Sequence, residues 1–123
     1  MNKNEVVTNM SMLSINYRTV GNKSINDWVK DSGWAAFKGT VSTEDIKEFL
    51  KTMPQLINSW LGYSQDKRCD GWYLKESEQR GYFTVGHYSQ KLGMTKESKY
   101  SDPIEACAVF ILKEFNGFDM GSH

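Results

Sequence analysis

The sequence is short of the features that usually define a protein class directly. It has no run approaching the ~18 consecutive apolar residues of a membrane-spanning helix, and its N-terminal stretch has no apolar signal segment. We therefore expect a cytoplasmic protein without a membrane partner. Charge imbalance is also lacking, because fifteen basic and fifteen acidic residues cancel. Nucleic-acid-binding domains usually carry a basic excess, so we expect no direct nucleic-acid partner.

Cysteines and catalytic motifs are equally scarce. Cys69 and Cys107 are the only cysteines, and in a cytosolic chain two reduced thiols are the default. Whether these two residues meet in the fold stays open. The two cysteines and two histidines lack the spacing of a metal site, and no P-loop, G-x-G-x-x-G, G-x-S-x-G or H-E-x-x-H motif is present. We therefore predict no metal and no cofactor, and an enzyme stays possible without a specific motif behind it.

What the chain does contain is enough apolar material for one core. Hydrophobic residues make up 39% of the sequence, with four Trp, six Tyr and six Phe, so a core forms without disulfides or metal. We interpret residues 1–123 as a single domain. Residues 1–11 are polar and without periodicity, which predicts a loose N-terminal tail. Residues 121–123 (Gly-Ser-His) resemble a cloning remnant.

The first forty residues show two strand-like patterns around one helical pattern. From Leu13 to Val20 apolar and polar residues alternate, which predicts a strand. Ser24 can then cap a short helix that ends before Gly33. Residues 34–41 are apolar enough to predict a second strand.

A long helix is predicted next. Ser42 is a suitable N-cap, and apolar residues follow the helical period from Ile46 to Leu61. Pro54 interrupts this stripe, and because the stripe stays in phase across it, we predict a kink rather than two helices. Gly62 is a natural residue to end the helix.

The C-terminal half carries the clearest pattern. Residues 72–74 and 82–85 are aromatic or β-branched and flank a polar turn, which predicts a β-hairpin. A short strand is weakly indicated at residues 99–100. Asp102 and the following proline then open an amphipathic helix that extends to Phe115. The element order is β-α-β-α-β-β-(β)-α, and it predicts an α+β fold with a mainly antiparallel sheet and helices packed largely on one face.

Two sets of residues are candidates for partner binding. Tyrosines on an exposed sheet face are frequent interface anchors, and an acidic helix start suits a basic partner. Helix capping and a solvated helix face explain the acidic residues equally, and an RNA-stacking platform is disfavoured because Glu76 and Glu78 flank the hairpin turn. The candidate residues are Glu44, Asp45, Glu48, Tyr73, Glu76, Tyr82 and Tyr88.

His87 is the one plausible catalytic residue in the sequence. On the second hairpin strand it shares a face with Phe83 and Val85. As a general base it needs a carboxylate such as Asp70 or Glu76 within hydrogen-bond reach. The alternative interpretation is a strand histidine at the sheet margin, and we favour it.

The C-terminal stretch resembles bacterial immunity proteins. The residues D-G-W-Y-L-K-E, then G-Y-F-T-V-G-H-Y and D-P-I-E-A-C-A-V-F-I-L-K-E-F, follow the strand-strand-helix style of immunity proteins from polymorphic-toxin and contact-dependent growth inhibition systems. The resemblance implies a non-enzymatic cytoplasmic protein that binds and neutralises the toxic C-terminal domain, often a nuclease, of a cognate toxin. It carries over no catalytic residues. A small enzyme using His87 and a phage or mobile-element accessory binding domain are the alternatives.

Overall fold

The fold is α+β, as the sequence predicts. The structure, a computed structural model, describes residues 2–21, 23–66, 71–77 and 81–117, and this part contains six helices and a three-stranded antiparallel sheet of order β1-β2-β3. The elements are α1 (Lys3–Val20), α2 (Ile25–Asp31), α3 (Trp34–Phe37), α4 (Thr43–Thr52), α5 (Leu56–Asp66), β1 (Gly71–Ser77), β2 (Tyr82–Ser89), β3 (Gly93–Tyr100) and α6 (Pro103–Asn116).

The N-terminal segment is a helix, so the predicted loose tail over residues 1–11 and the strand from Leu13 to Val20 are both wrong. Asn2 and Glu5 form a capping box that satisfies backbone N–H groups at the start of α1. Val6, Met10 and Leu13 then recur at helical spacing and are almost completely buried. The alternation around Leu13 was one stretch of this helical stripe.

Of the next two predicted elements, one is confirmed and the other is wrong. The helix capped by Ser24 is confirmed, because the Ser24 hydroxyl accepts from the Asp27 N–H at the start of α2. The strand over residues 34–41 is wrong. Trp34 opens the short helix α3 and is buried, with its ring edge-on to Phe115 at a centroid distance of 5.9 Å. The packing of the Trp34 ring in the core therefore decides the local conformation, and the apolar run does not.

The predicted kinked helix is two helices. Its start is confirmed, since Ser42 and Asp45 form a capping box. The chain leaves the helix at Met53, whose φ of −139° and ψ of 67° are non-helical, and re-enters at Leu56. A residue before proline is disfavoured in the α region, so Pro54 breaks the helix instead of bending it. Gly62 does not end α5, which continues to Asp66.

The predicted hairpin is confirmed, and the weak third strand is longer than predicted. In β1 and β2, Trp72 pairs with His87 and Leu74 with Val85. The register of β3 against β2 shifts between the pairs Val85–Ser98 and His87–Thr95. Between these pairs β2 advances by two residues and β3 by three, so β3 has one extra residue. Lys96 takes the extra position with a φ of 55°.

The core lies between one face of the sheet and the helices. On α6, Cys107, Ala108, Ile111 and Phe115 are fully buried, which confirms the predicted stripe. The Lys113 Nζ lies 4.5 Å from the centroid of the Trp72 ring. Because Trp72 shares its side of the sheet with Leu74 and Val85, α6 packs on that face. We call this the inner face. No helix in the described ranges is long and apolar enough to cross a membrane.

Candidate partner-binding surface

The opposite side of the sheet brings the three predicted tyrosines together. Strand side chains alternate, and directly paired residues share a face. The outer face therefore includes Tyr73, Lys75, Tyr82, Thr84, Gly86, Tyr88, Met94 and Lys99. Tyr88 follows Tyr82 by six positions along β2, so the face extends over roughly 20 Å. Glu76, by contrast, alternates to the other side of β1, opposite Phe83.

Tyr73 is fixed at the centre of the outer face by two neighbours. It lies opposite Gly86, where an added Cβ would stand 2.6 Å from the Cζ of the tyrosine ring, so only glycine lets the ring cross the strand. Its hydroxyl donates to Oε2 of Glu97 at 3.0 Å. Burial, followed by this bond to the carboxylate, raises the pKa of Tyr73 to about 12. Tyr73 is therefore a neutral, oriented anchor at physiological pH.

Two lysines lie across the middle of the outer face. Lys75 and Lys99 pair with Thr84 from opposite sides, and both lysines are exposed. The Lys99 Nζ also lies 5.0 Å from the centroid of the Tyr82 ring, within the range of a cation–π contact. Glu97 is the carboxylate on this face that the described contacts identify, and it accepts from Tyr73. The outer face thus combines aromatic rings with a local positive charge.

An open cavity and an apolar patch adjoin at one end of this face. The cavity has a volume of about 320 Å³ and lies between this end of the face and the end of α5. It is lined by Ser64, Gln65, Gly71, Trp72, Tyr73, Leu74, Lys75, Tyr88 and Met94. Tyr88, Leu92 and Met94 are 39%, 72% and 55% exposed, and they belong to the four large apolar side chains that are exposed in the described part of the chain. Three of four at one strand end form a patch instead of a scatter.

The acidic residues at the start of α4 lie elsewhere and are compensated one by one. Asp45 completes the capping box and lies 3.1 Å from the Lys3 Nζ; the bond from the Ser42 backbone is the main reason that its pKa is lowered. Glu44 pairs with Lys47 at 3.3 Å. Glu48 pairs with Lys51 at 3.0 Å. This region is a capped and neutralised helix start, which weakens the interpretation as an acidic docking patch.

His87 has the surroundings of a packed residue. Its ring meets Trp72 edge-on at a centroid distance of 5.1 Å on the inner face. Glu76 is on the same face, but it follows Trp72 by four residues and so lies roughly 13 Å away along β1. Asp70, the other carboxylate considered, lies outside the described residues. Among residues 71–77 and 81–117, no described contact brings a carboxylate within hydrogen-bond reach of the His87 ring.

In the described part of the chain, neither a reactive thiol nor a metal-binding cluster forms a second site. Cys107 is fully buried in α6, and burial raises the pKa of its thiol, so the thiolate is disfavoured. Cys69 lies outside the described residues, as do Glu78 and residues 121–123. Within the ranges that the structure describes, no group of three or more His, Cys, Asp or Glu is placed to hold a metal ion.

Several residues of the outer face were not among the candidates predicted from the sequence. Gly86 interrupts an aromatic strand, which is the usual sign of a close approach by another group, and this signal was readable. Glu97, Lys99 and Met94 lie in a stretch so polar that it predicted little more than exposure. Their positions depend on the β3 register and on its extra residue at Lys96.

Comparison of the chain with protein families, with curated proteins and with solved structures gave no match.

Proposed function

We propose that this chain is a bacterial immunity protein, which acts in the cytoplasm by binding and neutralising the toxic C-terminal domain, a nuclease, of a cognate toxin. The observation that supports a binding role is the outer face, where Tyr73, Tyr82 and Tyr88 lie on one side of the sheet beside exposed Met94. Tyrosine is enriched among the residues that carry most of an interface's binding energy.

The fixed orientation of these rings also suits an inhibitor. Tyr73 is oriented by Gly86 and Glu97, and Tyr82 lies against Lys99. Side chains that are already ordered lose less conformational entropy on association, so more of the contact energy appears as affinity. A stoichiometric toxin inhibitor depends on such affinity.

Catalysis by His87 is the less favoured alternative. Its ring packs on Trp72, and Glu76 is too far along the strand to orient the ring through a hydrogen bond. An accessory domain of a phage or mobile element would use the same outer face and would differ in the identity of its partner.

The test is co-expression with the C-terminal domain encoded directly upstream in the native genome. We expect the chain to restore growth and to form a one-to-one complex with that domain. Tyr88→Asp should abolish rescue, whereas His87→Ala should retain it, with thermal melts to show that both variants fold. Failure of the parent chain to rescue growth contradicts the proposal, and loss of rescue by His87→Ala alone favours an enzyme.

A further inference from the structure

We propose that the outer face recognises an acidic protein surface from which one aromatic or other large apolar side chain projects. This inference rests on the proposed function, because it specifies the chemistry of the partner that the same face would bind. It reverses the expectation of a basic partner, which depended on the acidic residues of α4.

Charge complementarity is the first argument. Over residues 71–77 and 81–100, the sheet and its β2–β3 turn carry four lysines, at positions 75, 91, 96 and 99, against glutamates at 76 and 97. Glu97 accepts from Tyr73, and Glu76 is on the other side of β1. The ammonium groups of Lys75 and Lys99 therefore dominate the centre of the face, and interfaces match opposite potentials.

The cavity is the second argument. Its 320 Å³ is near the lower end of the roughly 300–1,000 Å³ of ligand pockets, which suits one side chain better than a whole cofactor. Gly71 and Tyr88, which pair across the strands, both line the cavity, and Tyr73 and Met94 supply apolar walls. Lys75 lies at the cavity as well, so an apolar anchor and a neighbouring carboxylate can be bound together.

Two other occupants fit less well. A second copy of this chain would oppose Lys75 and Lys99 to the same lysines, which costs energy in a desolvated interface. Single-stranded nucleic acid stacks its bases on aromatic rings along a positively charged groove, whereas Tyr73 is half-buried and bonded to the Glu97 carboxylate at the centre of the face. An acidic protein surface satisfies both the lysines and the cavity.

The probe is an acetylated and amidated pentapeptide with a central phenylalanine flanked by aspartates, titrated into the ¹⁵N-labelled chain. We expect amide shifts confined to Tyr73, Lys75, Tyr88 and Met94, with a Kd of about 1 mM. Replacing the central phenylalanine with alanine should weaken binding by about tenfold, since each 1.4 kcal/mol is a factor of ten. The same peptide with lysines for aspartates should cause no shifts.

The variant Lys75→Glu/Lys99→Glu should abolish binding of the acidic peptide. Its matched control is Lys38→Glu/Lys51→Glu, which makes the same charge change at two exposed helix or turn positions and should bind like the parent. Raising salt from about 50 to about 500 mM should weaken binding several-fold, because exposed charges are screened.

Four results would overturn the inference: no shifts, stronger binding of the basic peptide, concentration-dependent self-association through these amides, or tighter binding of a six-residue oligouridine. Growth rescue without peptide shifts rejects this inference and leaves the proposed function intact. Peptide shifts without growth rescue support this inference and reject the proposed function.

Discussion

The two faces of the sheet are built from alternate residues of the same strands, yet their surroundings differ completely. On the inner face Leu74 and Val85 are each 1% exposed and face α6. On the outer face Tyr88 and Met94 are 39% and 55% exposed. Burial of a large aliphatic side chain stabilises a fold by about 1.5–3 kcal/mol, so the inner face holds the sheet to the helices. The exposed side chains of the outer face, such as Tyr88 and Met94, can therefore vary with little effect on folding.

The largest effect should come from a carboxylate placed in the core. Ile111 of α6 is fully buried, so Ile111→Asp should lower the free energy of unfolding by more than about 4 kcal/mol. Tyr88→Asp, the same charge on the outer face, should cost about 1 kcal/mol or less. Urea denaturation of both variants measures the difference. An Ile111→Asp protein that melts within a few degrees of the parent would show that α6 is not docked as described.

Alanine substitutions at two adjacent residues of β1 compare the two faces without introducing a charge. Leu74→Ala should cost about 2–5 kcal/mol, because it leaves a cavity under α6. Lys75→Ala, the next residue on the outer face, should stay within about 0.5 kcal/mol of the parent. Similar losses for the two variants would contradict the assignment of the faces.

The hairpin and α6 were predictable because each of their signals is local and agrees with the tertiary packing. Asp102 caps α6 by accepting from the Ile104 N–H, and the helical stripe behind it is the buried one. In α1 the same signals existed, since Val6, Met10 and Leu13 have helical spacing behind the Asn2 cap. The short alternation after Leu13 outweighed them, which shows that a longer periodic stretch should take precedence over a shorter one.

Other features depend on contacts that no local pattern encodes. Trp34 adopts a helix because it meets Phe115, about eighty residues further on, and Gly62 lies inside α5 against the Arg18 guanidinium. For the candidate site, the sequence predicted that Tyr73, Tyr82 and Tyr88 share a surface. Their partners on β3 depend on register, and the register depends on the extra residue at Lys96. The glycine signal at Gly86 was local, but the ring that covers it was not.

A moderate effect is expected within the outer face, where the Tyr73 ring lies over the backbone of Gly86. Gly86→Ala places a methyl group against the Tyr73 ring, so it should cost about 1–3 kcal/mol. In the Tyr73→Ala background the same substitution should cost much less, because the obstructing ring is gone. A double-mutant cycle from urea denaturation measures this coupling. Equal costs in the two backgrounds would mean that Tyr73 does not lie over Gly86.

The smallest effect is a pH dependence that belongs to the outer face alone. The ordinary pKa of tyrosine is 10.0, and that of Tyr73 is raised to about 12 in the folded chain. Between these values the unfolded phenol has lost its proton while the folded one keeps it, so the unfolded state binds fewer protons and stability falls as pH rises. Below pH 10 both states are protonated, and the contribution is fully present.

Tyr73→Phe removes this titrating group, so the stability of the variant should fall less steeply than that of the parent from about pH 10 to 12. The difference between the free energies of unfolding of the two proteins, measured at intervals across this range, should shift in favour of the variant as pH rises, and it should stay constant below pH 10. At neutral pH the variant should lose less than about 1 kcal/mol, the usual worth of one hydrogen bond. A difference that does not change with pH would mean that neither burial nor the bond to Glu97 disfavours the Tyr73 phenolate, and the outer face would then lack the fixed central anchor on which its proposed binding role depends.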